Sequence, residues 1–474
     1  MLFNSLSFLI FFSSVLILYY FLPKKYRWIL LLISSLFFYM CWKWQYIFLI
    51  FFPATIDFFV AKSMEKSEDE KRRKLLLVIS VVTNLGLLFY FKYYNFFIDS
   101  VNSVSSIFNS DFFIEGARIL LPVGISFYTF QSISYTVEVY RRNIMAEQKF
   151  GRFALFVSYF PQLVAGPINR PQILLPQLRE FNQLNYTNMV EGGRLILWGL
   201  FKKVVVADRL AFFANIVFNN PDSYHGISIL IAIIFFAFQI YCDFSGYSDI
   251  AIGVAKVMGV DLVKNFDKPY YAHSIKEFWS KWHISLSTWF RDYLYIPMGG
   301  NKVGVPKWLL NLFITFLVSG IWHGASWNFV IWGAIHGIFI VLEAINSKYN
   351  IITLKLPALI KMIFTFSIVS FAWIFFRANT IQDSFTVIGN LFDFKHSFLS
   401  EIGHLNGSNM YNLALGIPLI LLLILFERGS EVSNLQNYFK SSVVFRYTCY
   451  IFLIVLIAFF GVFVDQSSFI YFQF

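Results

Sequence analysis

The sequence predicts an all-α polytopic membrane protein, with about ten to twelve spanning helices plus re-entrant or interfacial helices around a central cavity. Three observations predict it. Hydrophobic residues fill 58% of the 474 positions. Charged residues fill only 14%, where a soluble domain carries about 25%. Aromatic residues reach 21%, with Phe alone occurring 60 times. No soluble architecture would hide that much apolar side chain, so lipid must solvate many of these residues. The apolar residues gather into runs close to the ~20 that a spanning helix needs. No fixed-period repeat and no low-complexity linker appears, and positions 1–474 read as a single domain.

The candidate spans follow in order. They are Ser5–Leu22, Trp28–Cys41, Tyr46–Ala61, Leu75–Phe97, Ile119–Val139, Phe153–Ile168 and Leu195–Phe218. Then come Ile227–Tyr241, Ile250–Val260, Trp308–Trp322, Trp327–Ile345, Ala358–Phe376, Tyr411–Phe426 and Tyr447–Val464. Several are short for a full crossing, and broken segments survive at membrane depth only where protein surrounds them. Met1–Asn4 carries no basic residue and Leu22–Lys24 lacks a small-residue cleavage pattern, so Ser5–Leu22 is expected to stay as the first helix.

The formal charge of +11 sits in short loops between apolar runs. There it sets orientation and meets anionic headgroups, which argues against nucleic acid as a partner. Lys24, Lys25 and Arg27 make one basic loop, and Lys62–Lys74 carries six Lys or Arg against four acids. Ile98–Gly116 has no Lys or Arg, and Arg141, Arg142, Lys149 and Arg152 follow. This alternation places the N-terminus outside and the basic loops in the cytoplasm. Lys348, Lys355 and Lys361, and later Arg428, Lys440 and Arg446, mark further inner loops, with Ala378–Met410 and the C-terminus outside. The three Cys, at 41, 242 and 449, lie far apart inside apolar runs and form neither a disulfide framework nor a zinc knuckle.

Chemistry in a membrane protein shows as polar residues where hydrocarbon should be. Four stretches stand out. Trp279–Asp292 is too polar to cross lipid and reads as an interfacial or re-entrant helix; on such a helix His283 and Ser287 share a face. A headgroup-anchoring amphipathic helix is the competing reading. Ser319–Trp327 places His323 between two spans, toward the outer half by the charge rule. An apolar environment keeps imidazole neutral, as a general base requires, and Gly320 and Gly324 permit close approach. A packing His bonded to a carbonyl is the alternative.

Tyr241–Asp249 holds Asp243, Ser245 and Asp249 around Gly246, which suggests a helix break and carboxylates that line a polar cavity or pair with cations, either to orient a catalytic His or merely to bond backbone ends. Gly166-Pro167, with Arg170 and Pro171, is expected to form a helix-ending turn. His336, mid-span, favours packing or support of a catalytic group from behind it, and His225, His396 and His404 read as solvated loop residues. There is no Walker loop, no H-E-x-x-H, no G-x-S-x-G and no Cys/His zinc spacing.

Together these segments resemble the membrane-bound O-acyltransferase family, above all the bacterial branch that acetylates alginate and related glycans. The resemblance covers nearly the whole chain. It rests on Leu121–Tyr128, Gly166-Pro167, Tyr241–Gly253, Glu277–Asn301, Gly320–Gly337 and the ending Phe469–Phe474. It implies that His323, in the W-H-G motif, removes the proton from an acceptor hydroxyl, and that His283 polarises or positions the acyl group. Asp243, Arg291 and Asp292 would support the cavity. The donor implied is a cytoplasmic thioester, acetyl-CoA or an acyl carrier protein, with no tightly bound cofactor and no metal. The implied partners are membrane lipid and an extracytoplasmic glycan or secreted SGNH-type acetyltransferase, at the bacterial cytoplasmic membrane. Two other readings stay open: D-alanyl transfer to teichoic acid, and a transporter or flippase, which would need two corresponding halves that the sequence lacks.

Overall fold

A computed structural model describes residues 1–108, 112–117, 119, 121–181, 183–351, 356–463 and 469–470. Every regular element among them is helical, as the composition predicts. Eight helices are long and apolar enough to cross a membrane, and Leu6–Phe21 is a shorter apolar helix. The protein is therefore a multi-pass membrane protein. Val443–Phe460 has none of its apolar window buried, so its Ile and Phe side chains face outward for lipid to cover. Gly226–Val257 lies at the other extreme, with 78% buried.

The remaining expected spans take other forms. Ile227–Tyr241 and Ile250–Val260 are parts of one 32-residue helix, Gly226–Val257. The expected break at Tyr241–Asp249 is absent, because Gly246 does something else: it lets a neighbouring helix in. A Cβ on Gly246 would lie 2.8 Å from the Gly199 carbonyl oxygen, and one on Gly199 would lie 2.6 Å from that of Gly246. Phe153–Ile168 is broken between Ser158 and Phe160, followed by the Gly166-Pro167 turn. Leu195–Phe218 is helical, but Phe201–Ala207 widens into a π turn that carries Lys202 and Lys203. Parts of five expectations lie outside the described residues: positions 109–111 of the Ile98–Gly116 loop, Leu120 of the Ile119–Val139 span, Lys355 of an inner loop, Val464 of the last span, and Tyr471–Phe474 of the terminal motif.

The chain forms two compact units. The first comprises Met1–Arg194 and Ala251–Val263. Its helices are pinned by a few buried polar groups. Arg73 donates to the carbonyls of Met64 at 2.6 Å, Val139 at 3.3 Å and Tyr140 at 2.6 Å, which ties the end of one helix to the end of another. Asp57, fully buried, accepts from Ser80 Oγ at 2.6 Å and Asn84 Nδ2 at 2.8 Å. Gly124, at φ +79, starts the Ile125–Tyr140 helix, where a Cβ would meet the Leu163 carbonyl oxygen at 2.8 Å. Arg170 sits at the start of the Pro171–Gln177 helix, directly after the turn, as the prolines dictate.

The Lys/Arg alternation gives a direct test of orientation. The side chain of Glu68 is 89% exposed, so a cysteine there is open to reagent from whichever side it faces. In intact cells, with Cys41, Cys242 and Cys449 replaced by Ser, Glu68→Cys is expected to resist a membrane-impermeant maleimide and to label after permeabilisation. Labelling in intact cells would invert the topology.

The second unit comprises Leu195–Ile250 and Lys264–Phe474. It contains a helical hairpin, Val305–His323 and Trp327–Tyr349. The two helices touch backbone to backbone at glycine. A Cβ on Gly320 would lie 2.3 Å from the Phe329 carbonyl oxygen, and one on Gly333 would lie 2.6 Å from that of Phe316. Small residues at such crossings let van der Waals contact replace the hydrophobic effect that lipid cannot supply. The hairpin fixes where the first helix ends, and its last residue is His323.

Candidate active site

Two of the residues that sequence reasoning singled out, His323 and His283, are buried in the second unit. His323 is buried, with its ring edge-on to Trp332 at 5.0 Å and against Phe376 at 5.6 Å. Ser326 then caps the next helix by accepting from Asn328 N at 3.2 Å. The turn between the helices is tight because Gly324 lies against the Phe329 ring, where a Cβ would meet ring atoms at 2.0 Å. Aromatic walls thus hold the His323 imidazole in an apolar setting.

His283 is also buried, but its backbone departs from expectation. Trp279–Asp292 is not one helix. It splits into Ile275–Lys281 and Ile284–Phe290, and His283 stands at the break with φ 42 and ψ 53. A left-handed conformation in a non-glycine residue costs roughly 1–2 kcal/mol and persists only where its surroundings over-determine it. Here they do. The Asn265 carbonyl oxygen accepts from Ile284 N at 2.8 Å, and the Lys281 carbonyl oxygen accepts from Asp267 N at 2.9 Å. The Ser287 hydroxyl, expected on a shared face with His283, donates to the Trp282 carbonyl at 3.2 Å.

The partner of His283 is a residue that the sequence reading passed over. Its Nδ1 lies 3.0 Å from Asn265 Oδ1. The same oxygen accepts from Ser285 Oγ at 2.9 Å and Ser285 N at 3.3 Å, while Asn265 Nδ2 donates to Ser248 Oγ at 3.1 Å. Phe244 closes over the ring edge-on at 4.6 Å. His283 and His323, 40 positions apart in the chain, come near enough for charge on one to oppose charge on the other.

His336 lies deeper, in a cage of Trp279, Trp332 and Trp373. Trp279 Nε1, which can only donate, points at its Nδ1 at 3.3 Å. Nδ1 is therefore the acceptor and Nε2 carries the hydrogen. In that tautomer His336 presents an N–H where a general base needs a lone pair, which agrees with the packing role expected of it.

Asp243, expected to support the cavity, is buried in an ion cluster. Lys203 Nζ lies 2.6 Å from Asp243 Oδ1 and 2.8 Å from Asp208 Oδ1. Asp243 Oδ2 accepts from Ile470 N at 2.7 Å, and Phe469 packs on Tyr247 at 4.7 Å and Phe244 at 5.8 Å. The carboxylate thus ties the end of the described chain beside the wall that covers His283. Lys202 pairs with Asp249 at 2.6 Å and donates to Ser245 Oγ at 2.9 Å, so both lysines of the π turn pair with carboxylates of the Gly226–Val257 helix. Nothing in their apolar flanks signals this pairing, although two adjacent Lys in an apolar run are a cue that buried acids must answer them.

Arg291 and Asp292 are brought together differently. They pair with each other, Nε to Oδ1 at 2.7 Å, with Arg291 largely exposed. His225, expected to be solvated, is half-buried. It stacks on His396 at 3.9 Å and binds Glu401 through Nδ1 at 3.1 Å, with Asp393 alongside.

Comparison with known proteins shows what the chain is similar to. Residues 144–378 match the model of the membrane-bound O-acyltransferase family. The chain is 39% identical to a probable alginate O-acetylase of Pseudomonas aeruginosa PAO1, over 90% of this chain and 81% of that protein. It is 35% identical to the peptidoglycan O-acetyltransferase of Helicobacter pylori 26695, over 82% and 79%. A teichoic acid D-alanyltransferase of Streptococcus thermophilus is 31% identical over 48% and 59%.

Proposed function

The chain belongs to the membrane-bound O-acyltransferase family and is an acyltransferase, and on that premise we propose that it moves an acetyl group from a cytoplasmic thioester across the bacterial cytoplasmic membrane. The acceptor is a cell-envelope glycan hydroxyl or a secreted SGNH-type acetyltransferase that passes the group on. Acetyl is favoured over D-alanyl because the relatives named as acetylating enzymes align along most of the chain, and the D-alanyltransferase along about half. A transporter is disfavoured by the same family membership.

One observation supports the mechanism: two buried imidazoles, His323 and His283, lie in one compact unit, near enough for charge on one to oppose charge on the other. His323 accepts the proton of the acceptor hydroxyl as its oxygen attacks the thioester carbonyl. A C–O bond forms, the C–S bond breaks, and the proton passes from the imidazolium to the departing thiolate. A thioester is reactive enough for this without a metal. His283 positions the acyl group, and Asp243 supports the wall beside it. Arg291, exposed, and Asp292, half-buried, support the cavity as a mutual ion pair. No tightly bound cofactor enters the scheme.

Membrane vesicles carrying the protein are expected to transfer label from acetyl-labelled coenzyme A, or from a charged acyl carrier protein, without ATP. The chain has no phosphate-cradling loop with which to activate an acid itself. Transfer that needs ATP and free acetate but no thioester would overturn the reading.

A further inference from the structure

Asn265 determines which nitrogen of His283 is basic. The Ser285 backbone N–H can only donate, and it reaches Asn265 Oδ1 at 3.3 Å. That contact decides which end of the amide is oxygen. Ser285 Oγ reaches the same atom at 2.9 Å, and the amide nitrogen is turned to Ser248 Oγ at 3.1 Å. His283 Nδ1, 3.0 Å from that oxygen, must then carry the hydrogen. A neutral imidazole has one N–H, so the lone pair is left on Nε2. His336 is held in the opposite tautomer by the Trp279 indole N–H. The unit therefore contains two buried histidines whose neighbours set opposite ring chemistry.

We propose that Asn265 is a positioning residue for acyl transfer, which holds His283 in the Nδ1–H tautomer so that Nε2 meets the substrates as a lone-pair nitrogen and not as a polarising N–H. The proposal rests on the acyltransfer reading of the site. Three features of the structure converge on it. Asn265 binds the ring through its side chain and the Ile284 N–H through its own carbonyl, at 2.8 Å, so one residue fixes both tautomer and turn. The left-handed backbone at His283 is tolerated in return for that placement. Burial disfavours charge on His283, and the neighbouring His323 further opposes a second proton in the site. Once His323 has taken the acceptor's proton, His283 stays neutral and cannot become an N–H donor at Nε2. Oxyanion stabilisation must then come from groups other than His283.

The test uses the full chain in nanodiscs, labelled with 15N-histidine, with the His283 signals identified by their loss in His283→Ala. The expected result is the Nδ1–H tautomer, shifting toward the Nε2–H form in Asn265→Leu. An Nε2–H form in the unsubstituted protein would overturn the proposal. Activity gives a second arm. Asn265→Leu is expected to fall to the level of His283→Ala, with the double variant no lower than either. Asn265→Asp keeps the shape and the acceptor, and carries the test even where the Leu variant accumulates poorly. Its carboxylate stabilises the imidazolium, so His283 gains its proton at higher pH and the acidic limb of the pH–rate profile moves up. A folded Asp variant with an unmoved profile, or a folded Leu variant with wild-type turnover, would count against the proposal. Failure of the acyltransfer reading looks different: His323→Ala and His283→Ala would both keep full activity while the NMR tautomer remained Nδ1–H.

Discussion

Replacing His323 with alanine is expected to lower acyl transfer per folded molecule by about 10²–10⁴-fold, the contribution of a positioned general base. The loss should not come from misfolding. His323 is the last residue of its helix and touches aromatic rings, and the helix hairpin is set by Gly320 and Gly333. The variant should therefore insert and elute from detergent as the wild type does. Two comparisons make the result specific. His283→Ala is expected to cut turnover severely but leave some activity, since it positions rather than takes the proton. His336→Ala is expected to lose activity only in proportion to lost protein, because its Nδ1 is occupied by Trp279 and its Nε2 bears the hydrogen. Wild-type specific activity in His323→Ala would remove the base from the scheme. A folded but inactive His336→Ala would move the chemistry deeper into the tryptophan cage.

The two histidines were legible in the sequence because ionisable residues in apolar runs stand out, and because their flanking Trp and Gly residues form motifs. The helical class was legible from run length alone. Other features were hidden for identifiable reasons. Asn265 lies in an irregular stretch between elements, where an Asn reads as loop chemistry, and its role exists only through the fold. The break at His283 was hidden because Trp282-His283-Ile284 contains neither Gly nor Pro, the usual marks of a left-handed turn. Conversely, Gly246 looked like a break and is not one. A glycine inside a helix serves close approach as readily as a turn, and only the facing Gly199 tells the two apart. The Lys203 cluster was half visible: Asp243 was singled out, but the cation that neutralises it lies 40 positions earlier in an apolar run.

That cluster yields the second large expected effect. Lys203→Met is expected to destabilise the second unit by about 3–5 kcal/mol, the usual consequence of removing one partner from a buried ion pair. Lys203 is the cation shared by Asp208 and Asp243, whose side chains are 0% and 4% exposed. Without it, two carboxylates face each other in a medium that solvates neither. The expected observation is a large drop in detergent-extracted yield and in the temperature of aggregation, larger than for Arg291→Met, whose side chain is 59% exposed and whose pairing with Asp292 contributes little. Geometry and charge can be separated by adding Asp208→Asn and Asp243→Asn to Lys203→Met. The triple variant has no uncompensated charge, and the amide oxygen introduced by Asp243→Asn can still accept from the Ile470 N–H that Asp243 Oδ2 now binds. It is expected to recover much of the lost stability, since a buried ion pair replaced as a whole is often near neutral. Should Lys203→Met prove as stable as the wild type, the cluster is not closed to water. Should the triple variant stay as unstable as the single one, Lys203 acts through the packing of its alkyl chain in the π turn, and the charges on Asp208 and Asp243 are not what it is there to balance.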